Sequence, residues 1–230
     1  MATNENNEIL EVLLANRLFL YSLLHKVFGR EPDADFLQIL TGENTCEAFA
    51  LLSDEEGDVP DRFVLFLKEL RGEFLQESFL EQLKTEYTRL FIGPTKLPAP
   101  PWESVYRSKQ GLLFQESTLA VREFYRKFNM LPEGYPHVAD DSLALELDFM
   151  ARLSEKALDA LRAGRMEDLK HYLNGQNIFL QNHLLIWVPK FLERMADAPS
   201  DWMYPQMALV TDDFLRRDQK VIEEMLSMIE

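Results

Sequence analysis

Apolar residues recur at helical spacing along almost the whole 230-residue chain, and strict alternation of apolar and polar residues over a strand length is hard to find. The first predicted helix, about Glu8 to Phe28, is apolar over most of its circumference, so we expect it to be central and mostly buried. The pattern predicts an all-α fold, a multi-helix bundle of about ten helices. The other helices are predicted near residues 33–40, 45–52, 61–76, 78–91, 111–129, 141–163, 167–196 (with a bend at Gly175) and 202–228.

Two segments rich in proline and glycine interrupt the helical pattern. Residues 93–101 hold four prolines in nine positions, which predicts a rigid segment at the surface or along a groove. Leu131–Asp140 contains Pro132, Gly134 and Pro136 and is the predicted hinge. It separates an N-terminal helical subdomain (1–130) from a C-terminal one (141–230), and we expect the two to pack closely as one domain. A hinge permits two copies of the chain to exchange segments, so the sequence is compatible with a monomer and with a segment-exchanged dimer.

The charge balance restricts the classes of partner. The chain has 39 acidic and 24 basic residues, a formal net charge of −15 at pH 7. Nucleic acids and anionic membranes are bound through an excess of lysine and arginine, so neither is an expected partner. Electrostatic complementarity favours a cationic partner, although an acidic balance is also ordinary for a cytosolic protein.

Targeting and thiol signals indicate a cytoplasmic protein. The segment Met1–Glu8 is polar and acidic, unlike a secretion signal, and no stretch approaches the roughly 18 apolar residues that cross a membrane. The single cysteine, Cys46, can form neither an intrachain disulfide nor a multi-thiolate metal site. We therefore expect a cytoplasmic protein without membrane insertion.

No motif for catalysis or for metal binding stands out in the sequence. None of the four histidines follows a glutamate by three positions, which is the spacing used by metal sites in helical bundles. Glycine-rich phosphate loops and the Gly-x-Ser-x-Gly nucleophile motif are also absent from the sequence. The sequence therefore predicts no catalytic residue, no metal site and no enzyme activity.

Arg17 lies in the middle of the apolar stripe of the first helix, four residues from both Leu13 and Tyr21. A buried guanidinium must be paired with a carboxylate, because an unpaired buried charge is very costly. Glu86 and Glu146 lie at or within apolar stripes of their own and are the expected partners. We predict a structural ion pair between Arg17 and one of these two glutamates.

Two segments resemble the signatures of a known chaperone family. The first reads Glu86-Tyr-Thr-Arg-Leu-Phe-Ile-Gly-Pro-Thr, followed by Leu97-Pro-Ala-Pro-Pro-Trp-Glu-Ser-Val-Tyr106. The second reads Ala139-Asp-Asp-Ser-Leu-Ala-Leu-Glu-Leu-Asp-Phe-Met150. Their order and separation are similar to those of the TorD/DmsD/NarJ chaperones of molybdoenzyme maturation. At position 142 the family often has histidine, whereas this chain has Ser142. Any role of the family's histidine is therefore in doubt for this chain.

The resemblance implies an all-α fold in two subdomains without catalytic activity. It also implies a client, the apo form of the catalytic subunit of a molybdenum reductase, whose N-terminal twin-arginine leader is bound before export while the cofactor is inserted. A NarJ-like assembly chaperone for a non-exported reductase subunit is the alternative. Weak guanine nucleotide binding, reported for some members, is an optional expectation, and no other cofactor is implied.

A receptor for a twin-arginine leader needs carboxylates beside an apolar, aromatic groove, because the leader presents two guanidinium groups before an apolar run. The sequence supplies these residue types next to its proline-rich segments. Tyr87 and Phe91 are also explained as core residues, and His183 as a core or groove histidine. The predicted peptide-binding residues are Tyr87, Phe91, Trp102, Glu103, Tyr106, Asp140, Asp141, His183 and Trp187.

Overall fold

The computed structural model describes residues 4–73, 77–94, 96–132, 138–198 and 203–229. All regular structure within these residues is helical, which confirms the all-α prediction. Eleven α-helical segments are present there, and two of them are joined into one rod, which leaves ten helices. None of the described helices is both long and apolar enough to cross a membrane. The helices are α1 (Asn4–Gly29), α2 (Ala34–Leu40), α3 (Glu43–Ala50), α4 (Val59–Glu73), α5 (Glu77–Tyr87), α6 (Glu103–Arg107), α7 (Glu116–Lys127), α8 (Leu143–Arg162), α9 (Met166–Phe179), α10 (Leu185–Ala196) and α11 (Met203–Met228).

The rod is formed by α9, a π-helical turn at Leu180–Leu184 and α10, which contains Pro189. Pro189 has no backbone N–H, so it cannot donate a helical hydrogen bond. The π-helical turn before it is of interest because such turns often occur at functional sites. The α-helix continues through Gly175 and changes to the π-helical turn at Leu180, and the bend at Gly175 stays a prediction. Gly175 permits the close approach of Phe128, since a Cβ atom there would lie 2.2 Å from the phenylalanine ring.

The segment between α6 and α7 differs from its prediction. The short helix α6 was not predicted, and α7 begins at Glu116 instead of near residue 111. Gly111 and Phe114 have positive φ angles of 62° and 58°, which a continuous right-handed helix cannot include. The chain between the two helices therefore forms an irregular loop, in which Phe114 holds a conformation that is unusual for a bulky residue.

The first helix is central, as its composition predicts. It packs most extensively along α8 and also contacts α11 and α3. Leu14, Leu20 and Leu24 are fully buried. One hydrophobic core contains residues from both sides of the predicted hinge, such as Leu67 and Leu147. The division at 131–140 stays a prediction, and residues 133–137 of that hinge lie outside the described residues.

Arg17 forms the predicted buried ion pair, but the predicted partner was wrong. Its Nε and Nη2 atoms donate to Oδ1 and Oδ2 of Asp218 at 2.5 and 3.0 Å. The Tyr21 hydroxyl donates to the same carboxylate at 2.6 Å. The reason is that α11 packs against α1 and brings Asp218 to Arg17. Glu146 lies on α8, which also packs against α1, but its side chain accepts from Trp187 instead, and Glu86 lies on α5.

Candidate peptide-binding site

The two signature segments lie side by side. Trp102 and Ser142 form an isolated antiparallel bridge, and the Leu143 N–H donates to the Pro101 carbonyl at 2.9 Å. The Ser142 hydroxyl accepts from the backbone N–H of Leu145 at 3.3 Å and caps α8. The position at which the family often has histidine is therefore occupied by a helix cap.

Asp141 fastens the start of α6 to this bridge. Its carbonyl accepts from the Glu103 N–H at 2.9 Å, and its carboxylate oxygen Oδ2 accepts from the Ser104 N–H at 2.7 Å. The carboxylate therefore satisfies one of the unpaired N–H groups in the first turn of α6. Asp141 is fully buried, and its Oδ1 atom makes no hydrogen bond within the described residues.

Asp140 connects the same segment to α7. Its Oδ2 atom accepts from Arg122 Nη2 at 2.6 Å and from Nε at 2.9 Å, and its carbonyl accepts from the Tyr125 hydroxyl at 3.0 Å. Burial is the main cause that raises the pKa of Tyr125 well above its ordinary value, and nearby carboxyl groups, Glu146 and then Asp140, add to it. The hydroxyl therefore stays protonated and continues to donate.

Glu103 is the centre of a second set of polar contacts. Its Oε2 atom lies 2.9 Å from His183 Nδ1 in the π-helical turn, and its Oε1 atom accepts from Arg107 Nη1 at 2.5 Å. Arg107 Nη1 also donates to the Asn182 carbonyl at 2.9 Å. Glu103 is fully buried, so these two side chains provide the compensation that a buried carboxylate requires.

Glu146 enters the site from α8. Its Oε2 atom accepts from Trp187 Nε1 at 3.0 Å, and the side chain is fully buried. Burial, and then the negative charge of Glu103, raise the pKa of Glu146 well above its ordinary value. Burial and the neighbouring Glu103 thus favour the protonated form of Glu146.

Aromatic side chains cover this polar cluster. Tyr106 stacks on Trp187 with ring centroids 5.5 Å apart, and Arg194 lies over the Tyr106 ring at 4.6 Å. Trp187 is fully buried, whereas Trp102 and Tyr106 are half-buried. The partly exposed rings of Trp102 and Tyr106 are therefore the aromatic surface that a ligand can reach.

Tyr87 and Phe91 belong to a neighbouring aromatic group. Phe91 packs edge-on against Tyr204 at 5.1 Å, and Tyr87 lies 6.0 Å from the same ring. Both are buried, at 6% and 8% exposure, as their interpretation as core residues requires. Phe28 contacts both Phe91 and Phe191 and so connects this group to the rings around Trp187.

The structure brings seven of the nine predicted residues into one cluster and places the other two, Tyr87 and Phe91, beside it. The three predicted carboxylates are fully buried and bound to internal partners. Direct contact between these carboxylates and a peptide stays a prediction, and it requires the cluster to open. We refer to the seven residues as the signature cluster: Trp102, Glu103, Tyr106, Asp140, Asp141, His183 and Trp187.

Two cations of the site were missed in the sequence. Arg107 follows Glu103 by four positions, so recognising α6 as a helix would have predicted their ion pair. Arg122 lies eighteen positions before Asp140, and no spacing rule predicts that pair. Across the described residues, no group of three or more histidine, cysteine or acidic side chains could hold a metal ion.

A cleft of about 590 Å³ opens between α6 and α7 beside the signature cluster. Its lining is mostly polar and includes Arg107, Lys109, Glu116 and Ser117. Arg107 is thus shared between the cleft and the buried cluster, because it lines the one and pairs with Glu103 in the other.

Comparison with known proteins gives consistent results. The sequence model of the nitrate reductase delta subunit family matches residues 60–193, a range that contains both signature segments. "Chaperone protein TorD" of Vibrio cholerae serotype O1 is 27% identical over 219 residues, covering 94% of this chain and 96% of that protein. "Probable Tat proofreading chaperone DmsD" of Haemophilus influenzae is 29% identical over 145 residues, covering 63% of this chain. That match spans 64% of the Haemophilus protein, less than two thirds of its length.

Among solved structures, a protein described as a candidate redox enzyme maturation protein from Archaeoglobus fulgidus matches with a TM-score of 0.47 and 22% identity, covering 89% of this chain and 93% of that one. The family assignment rests on the sequence matches alone. Since the family model covers more than half of the chain, the chain belongs to the nitrate reductase delta subunit family, the TorD/DmsD/NarJ group that its two signature segments resemble.

Proposed function

We propose that this protein is a system-specific chaperone of molybdoenzyme maturation. It binds the N-terminal twin-arginine leader of a molybdopterin-containing oxidoreductase and holds the apo-enzyme for cofactor insertion before export. The names of its TorD and DmsD relatives support this role. The protein acts in the cytoplasm as a binding protein, without catalysis and without a cofactor of its own.

The observation that carries the proposal is the joining of the two signature segments around an excess of buried carboxyl groups. Glu103, Asp141 and Glu146 come from α6, the segment before α8 and α8 itself. Glu103 is paired with Arg107, whereas Asp141 forms no ion pair within the described residues and its Oδ1 atom makes no hydrogen bond there. A carboxyl group without a basic partner favours a cationic ligand, and partly exposed aromatic rings favour the apolar run that follows it.

Binding of the leader then combines two contacts. The guanidinium groups are drawn to the acidic side of the signature cluster, and the apolar run packs against Trp102 and Tyr106. Arginine suits this role better than lysine, because its planar fork can bond both oxygens of a carboxylate. The buried carboxylates require local opening before they contact the leader directly.

A NarJ-like role for a non-exported subunit is the less favoured alternative. The curated relatives named here are TorD and DmsD chaperones, and the name of the DmsD relative refers to Tat proofreading. Weak guanine nucleotide binding is a separate proposal, which rests on the resemblance alone. Turnover of GTP above background would contradict the proposed absence of catalysis.

Co-expression tests the proposal. The protein is produced with tagged catalytic subunits of molybdenum reductases, each with its leader intact and with the leader deleted. We expect one subunit to co-purify in its cofactor-free form, and only with the leader intact. Equal recovery without the leader would support the NarJ-like alternative, and recovery of no reductase subunit would contradict both.

A further inference from the structure

We infer that Arg107 occupies the position on Glu103 that an arginine of the bound leader takes. This inference rests on the proposed function and adds a competitor that belongs to the protein itself. In the unliganded protein the internal guanidinium closes the subsite, and the leader binds by exchanging one guanidinium for another.

The geometry places Arg107 between Glu103 and solvent. Its Nη1 atom is held by Glu103 Oε1 at 2.5 Å and by the Asn182 carbonyl at 2.9 Å. The Arg107 side chain is 38% exposed and the Glu103 side chain is 0% exposed. Arg107 lines the cleft between α6 and α7, and Glu103 does not. Displacement of this one side chain therefore connects the buried carboxylate with the cleft.

A second observation in the same cleft points to a ligand. The hydroxyl oxygen of Ser117 is buried and makes no hydrogen bond within the described residues, although Ser117 lines the cleft and is only 8% exposed. Buried hydroxyl groups are normally satisfied, so this one gains a missing partner when entry of the ligand exposes it to a polar group. A guanidinium or a peptide N–H entering the cleft supplies the missing donor.

Exposed apolar side chains lie beside this polar cleft, just as an apolar run follows the arginines of a leader. The loop between Gln110 and Gln115, two residues that line the cleft, carries Leu112 and Phe114, which are 55% and 61% exposed. Leu119 on α7 is 55% exposed as well. An arginine of the leader can place its guanidinium in the cleft, and this rim extends the apolar surface that Trp102 and Tyr106 offer to the run that follows.

The exchange avoids the main cost of using a buried carboxylate. Removal of one partner from a buried ion pair is strongly unfavourable, whereas replacement of one guanidinium by another keeps Glu103 paired throughout. The apparent affinity for the leader is the intrinsic affinity multiplied by the fraction of molecules in which Arg107 has left the subsite. Loss of the internal guanidinium should therefore tighten binding.

Calorimetric titration of a synthetic twin-arginine leader tests the inference with Arg107→Gln and a matched control, Lys109→Gln. Lys109 lines the same cleft, so its substitution removes one positive charge and leaves the contact with Glu103 intact. We expect Arg107→Gln to bind roughly ten-fold more tightly than wild type, and Lys109→Gln to change affinity much less. Equal affinities of the two variants would overturn the inference.

Guanidinium ion gives an independent readout without the leader. In Arg107→Ala the subsite is vacated, so guanidinium chloride, well below denaturing concentrations, should raise the melting temperature and compete with the leader. Neither effect is expected in Lys109→Ala, and their absence in Arg107→Ala would contradict the inference. If wild type binds no leader at all, the proposed function fails. If wild type binds and Arg107→Gln is no tighter than the control, only the exchange fails.

Discussion

Arg17 in the first helix and Asp218 in the last helix form a two-pronged ion pair inside the protein, with N–O distances of 2.5 and 3.0 Å. The side chains are 4% and 1% exposed, and the Tyr21 hydroxyl supplies a third hydrogen bond to the same carboxylate. Burial raises the pKa of Tyr21 well above its ordinary value, so this hydroxyl remains a donor. The pair fixes α11 against α1.

Asp218→Asn should destabilise the protein by about 3–5 kcal/mol, because it leaves the Arg17 charge buried without its counter-charge. Urea unfolding followed by circular dichroism measures the change. The control is Asp212→Asn, which breaks the more exposed pair with Arg216 on the same helix and should cost less than about 1 kcal/mol. Similar losses of unfolding free energy in the two variants would show that the buried Arg17 pair stabilises the protein no more than the exposed pair.

Glu146→Gln should become more stable than wild type as the pH rises. The folded-state pKa of Glu146 is raised, by burial first and then by Glu103, above the ordinary value of 4.5. As the pH rises through that value the unfolded chain loses the proton and the folded chain keeps it, so wild-type stability falls with increasing pH. Glutamine mimics the protonated acid and can still accept from Trp187.

The difference between Glu146→Gln and wild type should grow by up to about 1.4 kcal/mol per pH unit above the unfolded-state pKa. Urea unfolding between about pH 5 and pH 8 measures it. Glu155→Gln, at an exposed position on the same helix, should show a nearly constant difference. A pH-independent loss of stability in Glu146→Gln would contradict the assigned protonation state.

The same substitution at two helical glycines should have opposite effects. Gly175→Ala should destabilise by about 1–3 kcal/mol, because the new Cβ atom would lie 2.2 Å from the Phe128 ring. Gly72→Ala, in α4, where no atom of the described residues lies within 4 Å of the Cβ position, should stabilise by about 0.5–1 kcal/mol through helix propensity. Thermal unfolding compares the two. Stabilisation by both substitutions would mean that the Phe128 ring moves away from the new Cβ atom without loss of stability.

Sequence periodicity was sufficient for the fold class, because long amphipathic helices record their buried faces in local spacing. It was not sufficient for pairing across the core. The pattern around Arg17 required a buried carboxylate, but nothing local indicates a partner 201 positions away. The failure at residues 111–115 has a different cause: Phe114 adopts a positive φ angle that no residue preference would suggest.

For the candidate site, the motifs identified which segments meet, and the Trp102–Ser142 bridge joins them. They did not indicate how deeply the acidic groups are buried. Burial of Glu103 and Asp141 depends on α6, a five-residue helix too short to produce a periodic signal. Because α6 was not predicted, the ion pair between Arg107 and Glu103 was missed as well, since a four-residue spacing brings two side chains together only on a helix.

In the proposed function, a cationic leader is held where the two signature segments meet. Calorimetric titration of the full-length protein with a twin-arginine leader, and with the same peptide carrying alanine at both arginines, tests it most directly. We expect saturable binding of the first peptide, loss of binding with the second, and weakened binding of the first by Trp102→Ala. Equal affinity for the two peptides would contradict the account.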